Sequence, residues 1–186
     1  MKLLFIFFCL LGMLVKGSAQ SKPELSSFTD TFGIYSIKFP KTYFVSKQRP
    51  QTTMFVAPKD NDQDKFQERI VIEVASVDAN VTIESIEKAI VEQLLANLKG
   101  STATLKYTTK IDGIPTKKQI FSWTSSDGVM LTAAHYWLIS KGTLIRITTL
   151  EETVVAMQKK LNSGKSFSEM KTPEEEIVES IVVLKK

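Results

Sequence analysis

Residues 104–150 read TLKYTTKIDGIPTKKQIFSWTSSDGVMLTAAHYWLISKGTLIRITTL, a series of β-branched and aromatic runs cut by short turn signals. The runs are Thr104 to Ile111, Thr116 to Trp123, Val129 to Ile139 and Leu144 to Leu150. Asp112-Gly113, Ser126-Asp127-Gly128 and Lys141-Gly142 separate them, and such turns are hairpin signals because glycine takes positive φ at little cost. Parallel neighbours need a crossover of roughly a dozen residues or more, so connections this short force an antiparallel meander.

Upstream, Thr52 to Ala57 and Arg69 to Val77 are two further strands. The second places Ile70, Ile72 and Val74 on one face and Val71, Glu73 and Ala75 on the other. Phe28 to Phe32, a turn at Gly33, and Tyr35 to Phe39 stopped by Pro40 predict an opening hairpin. Thr82 offers an N-cap, Glu84 and Glu87 occupy the first turns, and Ile83, Ile86, Ile90, Leu94 and Leu98 recur at helical spacing until Gly100. Downstream, Glu151 to Leu161 and Glu174 to Ile181, the latter after Pro173, predict two shorter helices around a polar linker at Asn162 to Lys171. No internal repeat is present. The economical solution is an α+β domain in which helices pack on a mostly antiparallel sheet of about six to eight strands.

The N-terminus sets the address. Met1-Lys2, the apolar run Leu3 to Val15, and Lys16-Gly17-Ser18-Ala19-Gln20 are charged region, hydrophobic region and small-residue cleavage site in order. Residues 1–19 thus read as a secretory signal peptide cut near Ala19, 20–27 as a polar tether, and 28–186 as one domain exported to the periplasm or beyond. The apolar run covers roughly 20 Å as a helix, short of the about 30 Å of a membrane core, so no span is expected once it is removed. Cys9 lies inside that run and not just after it, so lipid anchoring is not expected, and the mature chain has no cysteine for a disulfide. Cleavage also removes Lys2 and Lys16, leaving a nearly neutral chain whose lysines are scattered; the basic stripe of a nucleic-acid binder is missing.

Chemistry is sparse. The chain's one histidine, His135, sits in a strand with Val129, Leu131, Ala133 and Trp137 on its own face, the setting of a hydrogen-bonded sheet residue and not of a general base. Ser/His/acid or Cys/His catalysis needs a base, and the mature chain offers only His135 and no cysteine nucleophile. One histidine also excludes the usual multi-histidine zinc site, so no catalytic residue is assigned, a hydrolase of unrecognised type being the minor alternative. Asp60, Asp62 and Asp64, with Glu68 beyond, offer hard oxygens at alternate positions and are candidate calcium ligands. Lys65 and Val71, however, occupy the glycine and glutamate places of an EF-hand loop, and Asp and Asn are turn formers in their own right. No glycine-rich phosphate loop exists. Tyr43-Phe44-Val45 follows Pro40 outside any clean strand, which makes Tyr43 and Phe44 a candidate interaction surface.

Three stretches, in order, resemble the PsbP-like family: Gly33-Ile34-Tyr35-Ser36-Ile37-Lys38-Phe39-Pro40, Ile111-Asp112-Gly113-Ile114-Pro115 and Ile177-Val178-Glu179-Ser180-Ile181. Where members usually carry a tryptophan shortly after the first proline, Tyr43 stands nearest. The resemblance implies an α/β/α sandwich around the antiparallel sheet and a non-catalytic accessory role. The leader is a plain secretion signal, so a bacterial envelope protein that works with another envelope protein is the expectation. The alternative is a binding module holding an apolar ligand between sheet and long helix, or calcium at the Asp60 to Asp64 loop.

Overall fold

The carboxylate of Asp30 organises the first turn. It accepts the backbone N–H groups of Phe32 and Tyr35, each at 3.0 Å, and that of Ile34. This joins β1 (Leu25–Thr29) to β2 (Tyr35–Pro40) as the expected antiparallel hairpin. The strand begins three residues before Phe28, because Leu25 pairs with Pro40 and the Lys41 N–H donates to the Glu24 carbonyl at 2.9 Å. Backbone pairing thus takes in the end of a segment whose polar side chains read as a tether. The computed structural model describes residues 23–62, 64, 66–97, 102–153 and 171–184, so residues 1–19, read from sequence as a signal peptide, lie outside the described residues.

The meander forms as expected. β6 (Thr102–Ile111), β7 (Ile114–Thr124), β8 (Met130–Ser140) and β9 (Thr143–Glu152) pair successively, all antiparallel. Asp112-Gly113 and Lys141-Gly142 have positive φ at both residues (50° and 76°, 47° and 74°), the conformation of a type I′ turn that suits the twist of tight hairpins. β9 runs on past Leu150, so Glu151 and Glu152, expected to open a helix, lie in a strand opposite Thr132 and Leu131. A ladder already formed along β8 outweighs the weak helix preference of two glutamates. From Val154 on, that expected helix and the polar linker up to Met170 fall outside the described residues.

β5 (Arg69–Ser76) pairs with β9, β4 (Thr52–Val56) with β5, and β3 (Phe44–Arg49) with β4, giving the order β3-β4-β5-β9-β8-β7-β6. β3 corrects the expectation that Phe44 and Val45 lie outside a strand, while Tyr43 precedes it. The Pro50-Gln51 turn returns Phe44–Arg49 onto β4, with a bulge between Lys47 and Arg49.

Strand alternation gives the sheet two faces. One carries Phe55, Ile70, Ile72, Val74, Ala134, Tyr136, Leu138, Ile145 and Ile147, all buried in a single core with Tyr35, Ile37 and Phe39 of β2. Helix α2 (Pro173–Glu179) and β10 (Val182–Val183) add Ile177, Val178, Ile181 and Val183 to that core. β10 pairs with β2, so the chain has a second, three-stranded sheet, β1-β2-β10, where a single sheet was expected. The short terminal strand carries too few residues to show a period. The other face carries Leu131, Ala133, His135, Trp137 and Phe121. Helix α1 (Ile83–Asn97), capped by the Thr82 hydroxyl accepting from the Ser85 N–H at 3.2 Å, lies on this side, its Glu84 and Glu87 reaching Lys117 and Lys106. Helices therefore cover both faces of a mostly antiparallel sheet.

Candidate interaction surface at the β3 edge

Pro40 ends β2, and the Tyr43 N–H donates to the Pro40 carbonyl at 3.0 Å, turning the chain toward β3. Tyr43 and Phe44 then diverge, as successive residues entering a strand must. Tyr43 is half-buried, and its hydroxyl donates to Glu174 Oε1 of α2 at 2.8 Å. Burial, and then the nearby charges of Glu174, Glu68 and Glu151, hold its phenol far above the usual range. Tyr43 is a strut between the β3 approach and α2. Phe44 points outward and is 68% exposed. Of the two candidates named from sequence, only Phe44 is presented to solvent.

Around Phe44 the sheet forms an open groove of about 560 Å³. Met54 and Val56, on the side of β4 away from the core, share it with Phe66, Ser46 and Gln67. Its charged lining residues are Lys59 and Arg69, and the Arg69 guanidinium sits 5.6 Å from the centre of the Phe66 ring. The sequence carried a signal for this: Met54-Phe55-Val56 is apolar on both faces of a strand that needs only one for the core. Without β3 recognised as a strand, the exposed face had no position.

The acidic loop behaves as a turn. Asp64 accepts the N–H groups of Asp60 and Phe66 at 3.1 and 3.0 Å. Asp60 and Asp62 are exposed, whereas Glu68 is buried beside β4, its carbonyl accepting the Ala57 N–H at 2.9 Å. Among the described residues no group of three or more His, Cys, Asp or Glu side chains is placed to hold a metal ion.

His135 is buried on the α1 side of the sheet, stacked on Trp137 with ring centres 5.9 Å apart and edge-on to Phe121 at 5.3 Å. Its Nδ1 lies 3.0 Å from the Thr148 hydroxyl. Burial and then the Arg146 charge, itself paired with Glu73, lower its pKa to about 4. A neutral imidazole walled by rings and hydrogen-bonded to a threonine is a packed sheet residue. Between α1 and the sheet, Trp137 Nε1 and Gln119 Oε1 are buried without a hydrogen-bond partner, and Ile83, Ile86, Ile90 and Leu94 of α1 are only half-buried.

No helix among the described residues is long and apolar enough to cross a membrane. No family model matches the chain, and no curated protein matches it. Solved structures do. LpqN, involved in cell envelope biogenesis of Mycobacterium tuberculosis, matches with a TM-score of 0.60 at 13% identity over 87% of this chain and 91% of its own. The Ran-binding protein Mog1p of Saccharomyces cerevisiae matches at 0.56 and 12% identity, over 87% and 96%. Cyanobacterial PsbP from Synechocystis sp. PCC 6803 matches at 0.57 and 12% identity, over 91% and 98%. At such identities the likeness concerns architecture, and the fold is PsbP-like: an antiparallel sheet with helices on both faces.

Proposed function

We propose that this chain is a non-enzymatic, exported accessory domain of the bacterial envelope that docks a protein partner through the β3–β4 face. The observation that carries the reading is Phe44, a large apolar side chain two-thirds exposed on an edge strand beside Met54, Val56 and Phe66. Apolar side chains grouped on a surface groove are what a partner covers. The neighbours agree in kind: one takes part in envelope biogenesis and one binds another protein. Export rests on the order of charged, apolar and small residues in 1–19.

Site-specific photo-crosslinking tests this. A photoreactive phenylalanine at position 44, expressed in the native cells, is expected to give a discrete protein adduct that the same group at exposed Asp127 does not. No adduct at 44 overturns the reading.

A second reading, a small-ligand module, draws on the unpartnered Trp137 Nε1 and Gln119 Oε1 beneath a half-buried helix. A ligand bringing one acceptor and one donor would satisfy both. Native mass spectrometry of protein purified gently from its own envelope tests it: a bound organic mass supports it, and a bare chain removes it.

A further inference from the structure

We infer that the partner presents an extended acidic segment that adds to the sheet at β3, with its apolar side chains against Phe44 and its carboxylates on the same face, turned toward the positive charges of Lys59 and Arg69. The inference rests on the docking reading above and names the chemistry of the occupant.

Two independent features lead to it. The first is the edge. β3 pairs with β4 on one side only, and no described strand pairs with its other side. An outer strand presents unpaired backbone N–H and C=O groups, and an extended peptide satisfies them by becoming the next strand. The bulge between Lys47 and Arg49 breaks the regular ladder, so addition is confined to the Phe44 to Lys47 half. That half is where the groove lies.

The second feature is charge. Among the described residues, the groove is lined by Lys59 and Arg69 and by no acidic side chain. Both charged residues that line the groove are basic, and that sign favours an acidic occupant. Arg69 lies on β5, two strands in from the edge, and its guanidinium, held over Phe66, acts on the occupant's carboxylates as a nearby positive charge. Strand periodicity then fixes the pattern: alternate residues of the added strand face the groove, so its apolar side chains, which meet Phe44, and its carboxylates share that one face.

The test uses two acetylated nine-residue peptides, Val-Thr-Glu-Thr-Val-Thr-Glu-Thr-Val and the same sequence with Lys in place of Glu, so that apolar and charged side chains share one face of the added strand, titrated into the purified protein at low salt. The acidic peptide is expected to bind at least about tenfold more tightly, with the preference shrinking as salt is added. β3 amides should shift in heteronuclear spectra and gain exchange protection. K59E/R69E should reverse the preference, and Phe44→Ser should weaken both peptides while leaving Tm unchanged. Equal binding of the two peptides overturns the inference. So does shift mapping away from β3, self-association through β3 in sedimentation, or stronger displacement by anionic lipid vesicles than by the acidic peptide. If Phe44 crosslinks to a protein in cells while the peptides show no charge preference, the docking reading stands and this inference falls. If neither occurs, both fall.

Discussion

The carboxylate of Asp112, in the turn between β6 and β7, accepts the backbone N–H of Val183 at 3.0 Å. One side chain thereby does two things: it tolerates the left-handed turn, and it ties the last strand to the meander. Asp112→Ala removes both, leaving a β-carbon at a φ of 50° with no local hydrogen bond and Val183 without its acceptor. The expected loss is about 1–3 kcal/mol, and about half as much for Asp112→Asn, which keeps the turn preference. Chemical denaturation, together with exchange of the Val183 amide, checks this; unchanged exchange in Asp112→Ala would contradict it.

Tyr43 and Glu174 form the other long-range tie. Glu174 is 1% exposed, its Oε1 accepts the hydrogen bond of the phenol O–H, and its Oε2 has no hydrogen-bond partner. Tyr43→Phe leaves that carboxylate buried with neither oxygen bonded to the phenol, at an expected cost of about 1.5–3 kcal/mol. In a double-mutant cycle with Glu174→Gln the two changes should couple by more than about 0.5 kcal/mol, as contacting residues do. Simple additivity would show that the hydroxyl contributes nothing through Glu174.

These two ties explain what was legible in the sequence and what was not. The meander was, because Asp-Gly and Lys-Gly turns and period-two alternation are local signals. α1 was, because its isoleucines keep helical spacing up to a glycine. β3 was not: Phe44-Val45-Ser46-Lys47-Gln48-Arg49 has one apolar pair at its start, and its pairing with β4 is specified by the turn and not by its own pattern. β10 was not either, since two residues carry no period and their hydrogen-bond partners, β2 and Asp112, are distant in sequence. For the candidate surface, Phe44 was visible as an aromatic in an odd place. Separating it from Tyr43 required Glu174, distant in sequence, to be brought beneath the phenol.

Thr172 shows how α2 is fixed. Its hydroxyl accepts the Glu175 N–H at 3.3 Å and donates to buried Glu151 at 2.8 Å, while Glu175 returns to the Thr172 N–H at 3.0 Å, a complete capping box. Thr172→Ala loses the cap and one partner of a buried carboxylate, and should cost about 2–3 kcal/mol. Thr172→Ser keeps the hydroxyl and should recover most of it. Equal thermal unfolding of the alanine and serine variants would contradict this role.

Phe44 and Phe55 lie on adjacent strands and separate surface from core. Phe55 is fully buried between Phe28 and Phe39, with ring centres 5.5 and 5.0 Å away. Phe55→Ala should cost about 3–5 kcal/mol through lost contacts and a residual cavity. Phe44→Ala, at an exposed site, should stay within about 0.5 kcal/mol of the parent. Urea titrations of both variants decide it, and a large loss for Phe44→Ala would mean that its ring serves the fold and not a partner.

His135 gives the fold a pH dependence whose sign follows from its surroundings. The ring faces Trp137, Phe121 and the Thr148 hydroxyl, with the Arg146 cation nearby, and its pKa falls from 6.5 to about 4. Above about pH 6.5 the imidazole is neutral in both folded and unfolded chains, and stability owes nothing to its titration. Between about 6.5 and 4 the unfolded chain takes up a proton that the folded chain refuses, so stability falls as pH falls. Below about 4 both states carry the proton and this loss is complete, at about 3 kcal/mol. The variant His135→Gln lacks the titration, so the difference in unfolding free energy between parent and variant, followed from pH 7 to pH 4, should shrink against the parent by most of that amount. Carboxylates titrate alike in both proteins and cancel in the difference. A difference that stays constant across the range would mean that the buried imidazole accepts a proton as readily as a free one, and the aromatic walls around it would then carry no electrostatic cost.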